Sequence, residues 1–120
     1  MTPDLSDHRQ DVPALGALAD RIGDHILVTH SAGGFPGWVA AMQSPQVKAV
    51  ISYEPGGFVF PEGEVPERID GLTGGVAGTP VPMEQFKRLT EIPIALYFSD
   101  YIPETPSENL GDENWRVRLQ

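Results

Sequence analysis

Apolar residues along the chain fall into short blocks whose spacing switches between two periods. Leu15, Leu18, Ala19 and Ile22 recur at helical spacing, with Asp11, Val12 and Pro13 as a start signal and Gly23 as a stop. A strand follows over 25–30, where Ile26, Leu27 and Val28 form an unbroken apolar run that ends abruptly at Thr29-His30-Ser31-Ala32-Gly33. Trp38, Val39, Ala41 and Met42 predict a short helix that stops at Ser44-Pro45, because the residue before proline avoids the helical region. Val47 to Tyr53, VKAVISY, reads as a second strand, closed by Glu54-Pro55-Gly56-Gly57. Residues 55–82 are rich in Gly, Pro and Glu, show no period, and read as a loop or lid. Met83 to Thr90 predicts a helix carrying Phe86 and Leu89, and Ile92 to Ser99 a third apolar strand. Residues 100–114 read as loop, and Trp115 to Gln120 as the opening of another helix.

Helix, strand, helix, strand, loop, helix, strand is the order of an α/β sheet with right-handed crossovers. The expectation is a three-layer arrangement around a parallel central sheet whose strands are buried on both faces. Ligands of open parallel sheets sit beyond the carboxyl ends of the strands. Here those ends are Thr29-His30-Ser31, Tyr53-Glu54 and Ser99-Asp100, which bring a hydroxyl and two carboxylates to one edge.

Composition narrows what that edge meets. With 120 residues, 40% of them hydrophobic and 21% charged, the chain is one small domain or part of one. The formal net charge of −9, with Lys and Arg totalling 8, argues against a nucleic-acid partner, which needs clustered cations. The acidic bias from Asp100 to Glu113 reads as a solvated loop. Without cysteine there is no disulfide, thiolate metal site or cysteine nucleophile, and the compartment stays open. No apolar run approaches the roughly 20 residues of a membrane helix. The first residues lack the basic and apolar regions of a signal peptide, so localisation is undetermined.

The break after Val28 carries the chemistry. A strand, then small-x-Ser-x-Gly, then a helix is the pattern of a nucleophile elbow, a strained turn that needs small neighbours. Thr29, Ala32 and Gly33 provide that room, and Ser31 stands at the tip. The Ala32 N–H is then a candidate oxyanion donor, a role worth about 3 kcal/mol in characterised sites. The competing reading is that Ser31 only caps the next helix. Gly33, Gly34 and Gly37 do not make G-x-G-x-x-G, and neither Lys48 nor Lys87 follows a glycine as a phosphate loop requires, so dinucleotide and phosphate sites lack support. Phe58, Val59, Phe60 and Val76 supply an apolar wall or lid, with a surface excursion as the alternative.

VTHSAGGFPGW, then KAVISYEPGG, then IPIALYFSDYIPE resembles the α/β-hydrolase fold, and within it the bacterial serine esterases whose acid follows the strand after the elbow. The resemblance runs from about Asp11 to the C-terminus. It implies Ser31 as nucleophile and Glu54, 54 − 31 = 23 residues later, as the acid, with Asp100 at the end of the third strand as the rival. It implies a small-molecule ester as substrate, hydrolysed through an acyl-enzyme, with no metal or organic cofactor. His30 and the apolar Phe58 and Phe60 are the residues expected against that substrate. The family's histidine follows a last strand and helix with no counterpart here, and its early strands have none upstream of Asp11. His8 and His25 precede the elbow, His25 at the far end of its strand, while His30 should point to the face opposite Ser31. Residues 1–120 therefore read as a single partial α/β-hydrolase domain. Its expected parts are 11–54 (helix, elbow strand, elbow, helix and next strand), 55–82 (loop or lid), and 83–120 (helix, acid-bearing strand and acidic tail). Such a piece is expected to be weak or inactive alone. The alternatives are a non-catalytic fragment that associates with another chain through its open sheet edges, or a small-molecule binding module.

Overall fold

The computed structural model describes residues 11–67 and 78–100, together with 102, 104, 105 and 108. Helix α1 spans Asp11–Ile22 and ends where Gly23, at φ +74°, donates its N–H to the Ala19 carbonyl at 3.2 Å. That left-handed residue is the usual glycine stop of a helix. Strand β1, His25–His30, runs into a single 3₁₀ turn, Ser31–Gly33, and then into helix α2, Gly34–Gln43. Helix α2 begins well before the Trp38 block that its apolar period marks, with Gly34, Pro36 and Gly37 in its first turns. Proline costs little there because first-turn amides have no helical partner, and all three residues are buried. The helix ends as expected, with Ser44 extended (φ −103°, ψ 119°) ahead of Pro45.

Strand β2, Val47–Tyr53, lies between β1 and strand β5, Ile94–Tyr97, and all pairings are parallel. Thr29, Ser52 and Leu96 stand side by side in this register, as do His30, Tyr53 and Tyr97. The third strand is shorter than its apolar run, although the Pro93 carbonyl still accepts the Val50 N–H at 3.0 Å. Inside 55–82 the chain forms two short strands, β3 (Val59–Pro61) and β4 (Thr79–Val81), paired in parallel. Three residues, one of them proline in each strand, are too few to show a period. Helix α3 spans Met83–Thr90, as its sequence predicts.

The core gathers Trp38, Ala41 and Met42 of α2, Val47 and Val50 of β2, Val59, Val81 and Leu89. It lies on the α2 side of the sheet, with α1 and α3 packed against α2. The opposite face is open: Ile26 and Val28 are each 60% exposed, Tyr53 43% and Tyr97 52%, whereas Val50 is 1% and Ser52 0% exposed. The expectation of strands buried on both faces is thus corrected, and the described residues form two layers. An apolar run reports that a strand avoids water on one side; what lies over the other side is a property of distant chain.

Among the described residues no helix is long and apolar enough to cross a membrane. His8, Val76, most of the acidic stretch beyond Asp100, and 115–120 lie outside the described residues.

Candidate active site at the carboxyl edge of the sheet

Ser31 leaves the tip of β1 at φ +51°, a left-handed conformation that side chains with a Cβ rarely adopt. The chain enters this turn from extended His30 (φ −142°, ψ 137°), so the bend is made within one residue. His30 and Gly33 hold the capping positions of the 3₁₀ turn and of α2, so Ser31 does not cap either one. Ser31, Ala32 and Gly33 are all exposed. Ala32 stands in the first turn, where amides lack a partner further back in the helix.

Three close approaches need glycine and hold this turn in place. A Cβ on Gly37 would sit 2.5 Å from Thr29 Cγ2, so α2 crosses the elbow strand at backbone distance. A Cβ on Gly34 would meet Pro55 Cβ at 2.7 Å, and one on Gly56 the Ser31 carbonyl oxygen at 3.0 Å. The Ser31 carbonyl accepts N–H bonds from Gly34 and, at 2.7 Å, from Gly56. The loop after β2 is thereby fastened onto the bend after β1.

Glu54 follows β2 as Ser31 follows β1, and it too has positive φ, +47°. Its N–H donates to the Tyr97 carbonyl at 2.8 Å, and its Oε1 accepts the Ser99 N–H at 3.2 Å. Its Oε2 lies 3.6 Å from His30 Nε2, with the carboxylate about a quarter exposed and the imidazole mostly in solvent. The three strand ends predicted to converge are therefore tied together through Glu54: one oxygen reaches the tip of β1, the other the tip of β5. Asp100, one residue beyond Ser99, is exposed.

Beneath the turn Thr29 Oγ1 and Ser52 Oγ hydrogen-bond at 2.8 Å. Ser52 is completely buried, so this bond satisfies a hydroxyl that otherwise carries a desolvation cost. Two hydroxyls inside apolar strands were the visible signal for it, and the register between the strands is what pairs them. The Trp38 indole N–H donates to the Gly57 carbonyl at 2.9 Å, an anchor with no sequence signature.

The remaining expected residues are dispersed. His25 sits at the opposite end of β1, where its Nδ1–H donates to the Gly23 carbonyl at 2.8 Å, in keeping with a structural histidine. Phe58 is half-buried beside Trp38 in the wall of an apolar cleft, whereas Phe60, in β3, lies across Gly78. Among the described residues no group of three or more His, Asp or Glu is arranged to hold a metal ion. No protein-family model matches the chain, and no curated protein matches it.

Chemically, the edge offers an exposed hydroxyl on a strained bend, first-turn amides beside it, and a carboxylate positioned by a backbone N–H. That set suits an attacking oxygen and the charge that develops on an acyl carbonyl.

Proposed function

We propose that the chain carries the nucleophile and acid of a serine hydrolase acting on carboxylic esters. The observation that supports this most is that Ser31 and Glu54, on the tips of adjacent parallel strands, both have positive φ and are joined through the Gly56 to Ser31 bond. Two strained non-glycine residues at one sheet edge are the kind of local cost that function retains.

In the proposed reaction Ser31 Oγ attacks the ester carbonyl and passes its proton to a histidine. The oxyanion rests against the Ala32 N–H, the alcohol leaves with the proton, and water then releases the acid from Ser31. Glu54 orients the base. His25 is held at the wrong end of the strand, and His30, on the exposed side of β1, lies 3.6 Å from Glu54. The chain alone is accordingly proposed to acylate slowly. An alkyl fluorophosphonate tests the reading, with intact mass and peptide mapping as readout. Modification at Ser31 that disappears in Ser31→Ala supports it, and a folded sample that stays unmodified refutes it.

The exposed Ile26, Val28, Tyr53 and Tyr97 support a second reading, a non-catalytic α/β piece that associates with another chain. An apolar sheet face in water is the usual mark of a missing neighbour. Sedimentation at micromolar concentration separates the two: a monomer modified at Ser31 favours the hydrolase, and a complex without modification favours the interaction piece.

A further inference from the structure

The exposed side of the sheet carries an ordered pattern. In register, Val28, Ile51 and Ala95 make one row across β1, β2 and β5, and His30, Tyr53 and Tyr97 make the next, with Ile26 below them. Successive side chains of a strand alternate between faces, so these rows share the side away from α2. Below the ring row the surface is apolar, and Ile26 and Val28 are exposed. The Tyr53 and Tyr97 rings stack on one another, with 19° between their planes, and close the upper end.

Parallel strands are normally covered by helices on both faces, because the crossovers that join them are helical. The dimensions here match one helix. The six residues of β1 run about 20 Å, and in a sheet of three strands the outer two lie about 10 Å apart. A helix is about 10–12 Å across with its side chains, and about 13 residues of it span 20 Å.

Charge selects the kind of helix and argues against a second copy. The chain has a formal net charge of −9. Lys48 is paired with Asp24 at 3.7 Å and Arg88 with Glu91 at 3.4 Å, and Lys87 and Arg88 belong to α3, on the packed side. The carboxyl edge of the open face carries Glu54 and, one residue beyond its Ser99 partner, Asp100. A second copy brings like charges against these. A cationic helix is attracted, most strongly when it runs antiparallel to the strands with the positive end of its dipole at Glu54 and Asp100.

We infer that this face docks a single amphipathic helix of about 13 residues from another chain, apolar on one side and flanked by Lys or Arg. The assignment names a partner for the association reading above and rests on that reading, not on Ser31. The apolar side of the helix covers Val28, Ile51 and the tyrosine rings, while its cations reach the carboxylates at the edge.

The test uses the full chain at physiological ionic strength and two peptides of about 13 residues with leucine at the same helical spacing, one with lysine and one with glutamate at the other positions. NMR follows the Val28 methyls and the Tyr53 and Tyr97 rings, with the Leu96 methyls as a control on the packed side. Saturable shifts at Val28 and both rings are expected with the lysine peptide while Leu96 is unmoved, and the glutamate peptide binds about tenfold or more weakly. Val28→Lys, which sets a cation against the cationic helix, weakens the lysine peptide about tenfold or more. If Val28→Lys does not fold, as judged by its near-UV circular dichroism, the map of wild-type shifts decides. Shifts at Leu96 alone, equal binding of the two peptides, or no saturable shift overturns the helix as occupant, and a complex in sedimentation then leaves the association reading standing with a different partner. Shifts that follow the concentration of the chain rather than that of the peptide assign the face to a second copy and overturn the helix as well. No complex by either method overturns both.

Discussion

The backbone of Ser31 has an energetic signature. Left-handed φ costs a residue with a Cβ about 1–2 kcal/mol, and glycine is free of that cost but loses more chain entropy on folding. Ser31→Gly is therefore expected to stabilise the chain by about 0.5–1 kcal/mol in urea denaturation, while removing fluorophosphonate modification. A loss of stability would mean that the hydroxyl holds the turn. The two acids are separated by their anchoring. Glu54 is fixed by the Ser99 N–H and faces His30, whereas Asp100 is exposed. In an enzyme completed by its histidine, Glu54→Gln is expected to slow modification of Ser31 by about a hundredfold or more and Asp100→Asn by less than about threefold. The opposite order moves the acid to Asp100. Ser31 and Glu54 were legible as strand-tip residues because each closes an apolar run. Their shared positive φ and the Ser99 bond were not, since the Gly56 to Ser31 bond spans 56 − 31 = 25 residues of chain and the Ser99 to Glu54 bond 99 − 54 = 45.

Among the elements, the decisive contact is α2 crossing β1. A methyl at Gly37 would lie 2.5 Å from Thr29 Cγ2, while its next neighbours, Thr29 Cβ at 3.5 Å and Leu27 Cδ2 at 3.6 Å, are ordinary contacts. Gly37→Ala is thus expected to cost about 1–3 kcal/mol by overpacking. Thr29→Ser removes that methyl and keeps the hydroxyl on Ser52. In that background Gly37→Ala should turn neutral or stabilising, because alanine is about 1 kcal/mol better than glycine inside a helix. Equal cost in both backgrounds, measured by a double-mutant cycle, would show that the crossing is limited by something other than this methyl. Strands β1 and β2 and helix α3 were predicted to the residue, and helix α1 lies between its start signal at 11–13 and its Gly23 stop. Strands β3 and β4 were hidden because a three-residue strand exists only through its partner.

For the whole molecule, a sheet face that is apolar and exposed among the described residues meets a formal net charge of −9. Like-charge repulsion holds copies apart at low salt, and screening within about 8 Å at physiological ionic strength weakens it. Self-association is accordingly expected to rise with salt, read by sedimentation velocity, and Val28→Lys on the exposed face should suppress it while changing the unfolding free energy in urea by no more than about 0.5 kcal/mol. Association that ignores Val28→Lys would place the contact elsewhere. The Tyr53 and Tyr97 rings, stacked with centroids 5.1 Å apart, cover part of this face themselves.

By itself the sequence determined where the helices and the three main strands lie, which residues stand at their carboxyl tips, and that the chain joins them in parallel. These follow from local period, from glycine and proline, and from the right-handed crossover, all properties of neighbouring residues. Only the tertiary structure decided that, among the described residues, one sheet face is left exposed, that Glu54 links the tips of β1 and β5, and that Gly56 fastens the loop after β2 onto the Ser31 turn. Those depend on which segments pack against one another, and packing is a relation between surfaces far apart in the chain that no local pattern encodes.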